Sequence, residues 1–300
     1  MFTIRGATIR RHIELRFGDK WTKRLTRPTT PRSFFAYLDK RFAMWNRLIE
    51  IHGLETELYP EFGKLNARSL AESAGVATPQ LLDGPIGVSE LRLEEYGDDF
   101  VIKPDWGASS RGVLVLRRQS DDSFLELISD TMLSSSEIRE RLTSAIDASG
   151  RGSTTNLIVE SSMADGDTLP TDWKVYTFYG RVGLVLQIDR SGTRRSKAYS
   201  ADWKDLGRVR GDTAFSSALP GPSDPAGILA AASAISTKVP TGFMRVDLYE
   251  APHDGGVVFG ELSLVPGGDQ FYRRGVDRTL ADLWDDAEVR LMTEQKPLIP

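Results

Sequence analysis

Phe34, Phe35, Leu38, Phe42, Trp45, Leu48 and Ile49 recur at three- and four-residue steps, the spacing of one helix face, and Gly53 closes the run. Thr30-Pro31 reads as a cap followed by a first-turn proline, so the helix is expected to begin there. A second helix is expected over 61–74, with Phe62, Leu65, Leu70, Ala71 and Ala74 on one side. Gly75 suits its stop, and Thr78-Pro79 an extended exit. From about residue 98 the character changes to strands. Phe100–Pro104 and Val113–Arg117 read as strands joined by the loop DWGASSRG. Helical patterns follow near 122–131 and 135–148, then the strand Asn156–Glu160. Trp173–Tyr179 and Val182–Asp189 form a hairpin around Gly180-Arg181. Residues 207–225, rich in Gly, Pro, Ser and Asp, read as a long loop. A small-residue helix over 225–237 precedes a hairpin of Phe243–Glu250 and Val257–Leu264, turning at His253–Gly256, and a helix over 278–292 closes the chain. Hairpins mixed with helices predict an α+β fold with antiparallel sheets, not alternating βαβ units.

Composition narrows the chemistry. Three hundred residues, 40% apolar and 27% charged, are enough for one large domain or two modest ones with their own cores. With no cysteine there is no disulfide framework, thiolate zinc site, iron–sulfur cluster or cysteine nucleophile. His12, His52 and His253 are too far apart in sequence to suggest a histidine metal site, and His12 and His52 read as surface residues. The net charge of −4 hides an asymmetry: residues 1–50 carry 12 Lys+Arg against 4 Asp+Glu, leaving the remainder strongly acidic. The basic start is not a secretory signal, because MFTIRGATIRRHIEL lacks the apolar stretch of about 7–15 residues one needs. An organelle transit segment and a solvated basic arm near an anionic polymer or membrane surface both fit it. No run approaches the ~20 apolar residues of a membrane span, and a soluble, cytoplasmic protein is expected. Outside the basic start the chain is acidic and carries no nucleic-acid-binding motif, so no nucleic-acid partner is expected.

Two segments could carry chemistry. In VIKPDWGASSRGV, Lys103 leaves a buried strand and must reach an anion or solvent. Gly107, Ala108, Ser109, Ser110 and Gly112 then supply small residues whose amides and hydroxyls can approach phosphate. A tight polar hairpin with a snorkelling lysine fits the same residues. Gly107 and Gly112 have P-loop spacing, but Val113 stands where Lys-Ser/Thr is needed, and the protein-kinase strings are absent. In FMRVDLYE…VVFGELSLVPGG, Asp247 and Glu261 lie 14 residues apart on two strands of one hairpin, where both can project from one face. Two such carboxylates repel unless a cation lies between them, and oxygen-only ligands favour Mg²⁺ or Mn²⁺. An acidic strand pair neutralised by Arg245 without metal is the alternative.

Taken together, these segments resemble the ATP-grasp superfamily. VIKPDWGASSRGV is similar to its lysine strand and Ser-rich lid, and RVD with ELSLVPGG to its paired metal strands. FGKLNARSLAESAGVATP is similar to the lysine-bearing helix that precedes them, and LIVESSMADGDT stands in the place of the adenine hinge. The likeness runs over residues 61–268 in the family's order, and the hinge plus DWKVYTFYGRVG is most similar to the TupA-like branch, linked to cell-surface polymer and teichuronopeptide biosynthesis.

The resemblance implies an ATP-grasp fold: two α/β subdomains with antiparallel sheets sandwiching ATP, plus a short helical N-terminal extension. It divides the chain into a basic arm and helix (1–60), a small lid subdomain (61–160) and a large metal and acceptor subdomain (161–300). It implies that Lys64, Lys103, Ser109, Ser110 and Gly112 hold the phosphates. Glu160, Ser161 and Met163 would hold the adenine, and Asp167 the ribose. Asp247 and Glu261 would ligate Mg²⁺ (or Mn²⁺), with Ser263 standing where many members have a metal-ligating Asn. Arg245, Lys174 and Arg195, the last in a cluster with Arg194 and Lys197, would act on the transferred phosphoryl group or an anionic substrate. The implied activity is ATP-dependent carboxylate–amine ligation through an acyl phosphate, on small-molecule, peptide or sugar substrates. A hydroxyl kinase of the same fold and a nucleotide- or polymer-binding protein without turnover are the alternatives.

Overall fold

The computed structural model describes residues 32–53, 63–105, 111–148, 156–190, 194–211, 214–251, 256–266 and 271–294. Ser109, Ser110, the Thr30-Pro31 start and the basic segment before it lie outside the described residues, as does most of the His253–Gly256 turn. Among the described residues, five α-helices accompany two six-stranded sheets.

Helix α1 (Phe34–His52) starts three residues later than Pro31: Ser33 caps it, its hydroxyl accepting from the Ala36 amide. Its first turns bury Phe34, Leu38 and Arg41, whereas Phe42, Met44 and Ile51 are exposed. This face is core only where the helix crosses the sheet. There Phe34 meets Phe243 edge-on at 4.8 Å and Tyr176 at 6.0 Å. Helix α2 (Lys64–Ser73) follows.

The first sheet has the order β1-β6-β2-β3-β4-β5, from β1 (Leu81–Ile86), β2 (Asp99–Pro104), β3 (Leu114–Ser120), β4 (Ser123–Glu126), β5 (Thr131–Leu133) and β6 (Leu157–Ser161). The helix expected near 122–131 is instead the β4–β5 strand pair. Glu126 holds its turn by accepting from the Ile128 and Ser129 amides. Helix α3 (Ser135–Asp147), capped by Ser134 and Glu137, covers one face through Ile138, Leu142 and Ile146. Strict alternation does the rest. Phe100, Ile102, Leu114, Leu116, Leu157 and Val159 face that helix, and the residues between them face the other way.

The second sheet has the order β10-β9-β8-β7-β11-β12, from β7 (Asp172–Phe178), β8 (Arg181–Asp189), β9 (Arg195–Tyr199), β10 (Ala214–Phe215), β11 (Met244–Glu250) and β12 (Val257–Ser263). Its pairings are antiparallel except for the short β9–β10 pair. Helix α4 (Pro225–Ser236), with Asp224 as cap and Pro225 in its first turn, packs on one face beside α2. Helix α5 (Arg274–Thr293) and the start of α1 cover part of the other face. Every residue of β7 is therefore buried, including Asp172 and Lys174. The extended exit from α2 joins the sheets. Ala77 O accepts from the Phe259 amide, and Gln80 O accepts from the Ser161 amide while the Gln80 amide donates to Ser161 Oγ. No helix among the described residues is long and apolar enough to cross a membrane.

Candidate active site

Between the two sheets lies a cleft lined by charged and apolar residues of both. The first sheet lines it with the residues alternation turns away from α3: Val101 and Lys103 of β2, Val115 of β3, and Glu160 of β6. Lys103 Nζ stands 2.6 Å from Glu160, and Arg68 of α2 reaches the same carboxylate at 3.6 Å. The backbone from Ser161 to Ala164 continues the lining with Leu169 and Pro170, apolar groups suited to an aromatic base. Gly112 lies between the lining residues Arg111 and Val113. Its φ is +71°, and a Cβ there would stand 3.0 Å from both Pro104 Cγ and Ala145 Cβ, so only glycine allows this close turn.

The second sheet presents a row of charges. Lys174, Asp247 and Glu261 are direct cross-strand partners on β7, β11 and β12, and Tyr176, Arg245 and Ser263 form the next row. A bulge produces this order. Leu248 pairs with Phe259 but Asp247 with Glu261, leaving Gly260 unpaired. The extra residue reverses the alternation of β12, so that Phe259 and Leu262 both reach the core while Glu261 lines the cleft. A Cβ at Gly260 would sit 2.7 Å from the Tyr249 ring.

Asp247 is 3% exposed and saturated with cations. Arg245 donates Nε to Oδ1 at 2.5 Å and Nη2 to Oδ2 at 2.7 Å, while Lys174 Nζ donates to Oδ2 at 2.5 Å. Lys174 also contacts Asp172, at 2.9 Å to Oδ2, and Arg190 donates to that oxygen at 2.7 Å. Burial alone would raise Asp172, but Lys174 and Arg190 outweigh it and hold the carboxyl down at about 2. Burial would likewise lower Arg245, and the adjoining Asp247 reverses that, leaving the guanidinium firmly charged. Burial pushes the Tyr249 hydroxyl up and keeps it neutral. Lys64, at the first turn of α2, is pushed down to about 8 by burial; Glu261 opposes the fall and Lys103 adds to it.

The structure therefore brings Lys64, Lys103, Glu160, Ser161, Met163, Asp247 and Glu261 into one cleft, with Lys174 and Arg245 held against Asp247. Other expected residues stand apart. Asp167 is exposed and pairs with Arg117 at 2.7 Å, Arg195 pairs with Asp189, and Lys197 donates to Ser217 and Leu219 carbonyls. None of these three lines the cleft, nor does Ser263. Residues not singled out from the sequence are Asp172, Arg190, Arg111 and Tyr249. For the first two, the signal was there: Asp172 and Lys174 share a strand face at a two-residue spacing, and Arg190 directly follows β8. Arg245 on Asp247 is the neutralised arrangement, but Glu261 beside it leaves an oxygen-only pair. Among the described residues no cluster of three acidic or histidine side chains could hold a metal alone. Two carboxylates suit an Mg²⁺ that takes its other ligands from phosphates and water.

Two sheets closing on a cleft with a lysine strand on one side and a carboxylate-bearing hairpin on the other define the ATP-grasp fold. The match to the TupA-like ATP-grasp family spans residues 76–285, and the chain belongs to that family. Solved structures it resembles include D-alanine–D-alanine ligase from Bacillus anthracis, at 16% identity and TM-score 0.47, covering 78% of this chain and 69% of that one. VanG D-Ala:D-Ser ligase from Enterococcus faecalis is similar at 19% identity and TM-score 0.46, over 77% of this chain and 61% of its own. The ATP-grasp ligase PsnB, solved with a minimal precursor, Mg and ADP, is similar at 15% identity and TM-score 0.42, over 93% and 74%. No curated protein matches the chain.

Proposed function

We propose that the protein is an ATP- and Mg²⁺-dependent carboxylate–amine ligase. Membership of the TupA-like ATP-grasp family supports this reading. So does one observation above others: Lys64, Lys103 and Arg111 share a cleft with the Asp247–Glu261 pair. Cations that can grip a polyphosphate stand beside an oxygen pair that can grip its metal.

Bound ATP and Mg²⁺ would supply a phosphoryl donor and charge neutralisation for converting a carboxylate into an acyl phosphate, whose carbon an amine then attacks, releasing phosphate. Lys103, already drawn to Glu160, would exchange that contact for phosphate oxygens. Met163 and the backbone beside it would receive the base along the Ser161–Ala164 rim. Asp247 and Glu261 would hold the metal. Arg245, fixed by its bidentate contact and always charged, would stabilise developing negative charge without having to reorganise. The first sheet and its loops would close over the nucleotide and the second would carry metal and acceptor, with α2, which packs on the second sheet, contributing Lys64.

The test is a screen of amino acids, peptides and uronic acids with Mg-ATP, reading free phosphate, ADP and product mass. Ligation gives equal ADP and phosphate and an amide product. ADP and a phosphorylated product without free phosphate would replace this reading with a hydroxyl kinase.

A further inference from the structure

Asp247 offers about four acceptor positions on its two oxygens. Arg245 takes one on each, and Lys174 takes another on Oδ2. With Glu261 the cross-strand neighbour of Asp247, Lys174 is the cation set against the metal pair on the side of β7. Lys174 also has a second carboxylate within reach, since its ammonium stands 2.9 Å from Asp172. Asp172 is shared: Lys174 donates to its Oδ1 at 3.2 Å while Arg190 donates to Oδ2 at 2.7 Å, so its charge is not given to Lys174 alone. The ammonium is thus divided between two buried carboxylates, one of which belongs to the metal pair.

We propose that Lys174 is a resident surrogate cation. It fills the Asp247 side of the metal pair in the empty protein and keeps divalent ions out until a polyanion enters the cleft and draws the ammonium away. The inference rests on the reading of Asp247 and Glu261 as metal ligands. Its physical basis is competition. A buried carboxylate that already neutralises an ammonium gains little from a divalent ion that must first displace it, and the displaced ammonium would be left with Asp172 alone, a carboxylate that Arg190 already shares. An arriving triphosphate changes this by giving Lys174 another anion. Metal and nucleotide are then positively coupled, and each strengthens the other's binding. Asp172 tunes the exchange by offering Lys174 a second place to rest.

Mn²⁺ binding read by electron paramagnetic resonance tests this on the full chain, without turnover. Wild-type protein should bind Mn²⁺ weakly alone and tighter by on the order of tenfold or more with a non-hydrolysable ATP analogue. Lys174→Met, which keeps an unbranched side chain one atom shorter and removes the charge, should bind Mn²⁺ more tightly than wild type without nucleotide and show little further gain with it. Asp172→Asn should do the reverse, because Lys174 then leans wholly on Asp247, so nucleotide-free Mn²⁺ affinity should fall. These opposite signs separate the surrogate role from simple damage, and circular dichroism confirms that each variant is folded. If Lys174→Met binds free Mn²⁺ no better than wild type while Asp247→Asn abolishes the nucleotide-supported site, the surrogate role is overturned and the metal site stands. If Asp247→Asn leaves the nucleotide-supported signal unchanged, the metal assignment fails and the inference falls with it.

Discussion

The two walls of the cleft handle charge in opposite ways. On the first sheet, Lys103 and Arg111 face a single lining carboxylate, Glu160, so that wall carries more cation than it neutralises. On the second, Lys174, Arg190 and Arg245 stand against Asp172, Asp247 and Glu261, three against three, most of them locked in contacts of 2.5–2.9 Å. The difference teaches what each wall must do before chemistry can begin. The first needs only a polyanion. The second is satisfied as it stands, so a ligand must rearrange contacts that are already good.

The largest expected effect comes from breaking the balanced wall. Glu261→Gln should lower Mg²⁺-dependent turnover on the order of 10²–10³-fold with little change in melting temperature, since it removes charge from a group of mixed exposure. Asp247→Asn should lower turnover as far and also destabilise the fold, because it leaves Arg245 and Lys174 facing a neutral amide. Steady-state assays with thermal melts separate the two, and full activity in either variant would remove the metal role. Next in size is the first wall. Lys103→Ala should weaken nucleotide binding by about 2–5 kcal/mol and lower stability by leaving Glu160 only the longer contact to Arg68. Adding Glu160→Gln should restore the melting temperature and leave affinity low. Calorimetry showing wild-type affinity in either protein would contradict the division between the walls.

The sequence was legible where local rules acted alone. Alternation placed Lys103 and Glu160 on the face opposite Phe100, Ile102, Leu157 and Val159. The Arg-x-Asp strand and its hairpin partner put Asp247 and Glu261 on neighbouring strands. What escaped needed tertiary facts. The Gly260 bulge that turns Glu261 into the cleft leaves no mark in strict alternation. The β4–β5 pair around 123–133 carries a helix-like apolar spacing that its sheet partners override. β1, with its Gly-Pro, and the short β9, which begins Arg-Ser-Lys, offered too little apolar patterning to stand out. Arg190 lines the cleft, and Arg195 five residues on pairs with Asp189 on the neighbouring strand instead. A basic cluster in sequence does not say which member the sheet turns inward.

A smaller effect separates the walls by pH. Asp172 lies below its ordinary value of 3.8 in the folded protein, so on acidification the unfolded chain takes up the proton first. The stability this carboxylate contributes is therefore fully present above about pH 4 and drains away as pH falls toward about 2. Melting temperatures over that range should be less pH-dependent in Asp172→Asn than in wild type. Equal slopes would mean that the second wall is not held by this charge network.

The smallest expected effect concerns the basic start of the chain. Residues 1–30 carry eight Lys+Arg and two Asp+Glu, a local excess of positive charge on an otherwise acidic chain. Deleting them stops short of Arg32, which bridges to Asp282 at 3.2 Å and Asp285 at 3.0 Å, and of the Ser33 cap, so α1 keeps its attachment to α5. Every cleft-lining residue is also retained. Nucleotide affinity should then stay within about twofold at physiological salt, where screening over roughly 8 Å confines the arm's field. A larger loss with small substrates would mean that the arm supplies charge to the first wall. A loss seen only with an anionic polymer, and abolished by salt, would instead place the arm in acceptor capture and leave both walls complete without it.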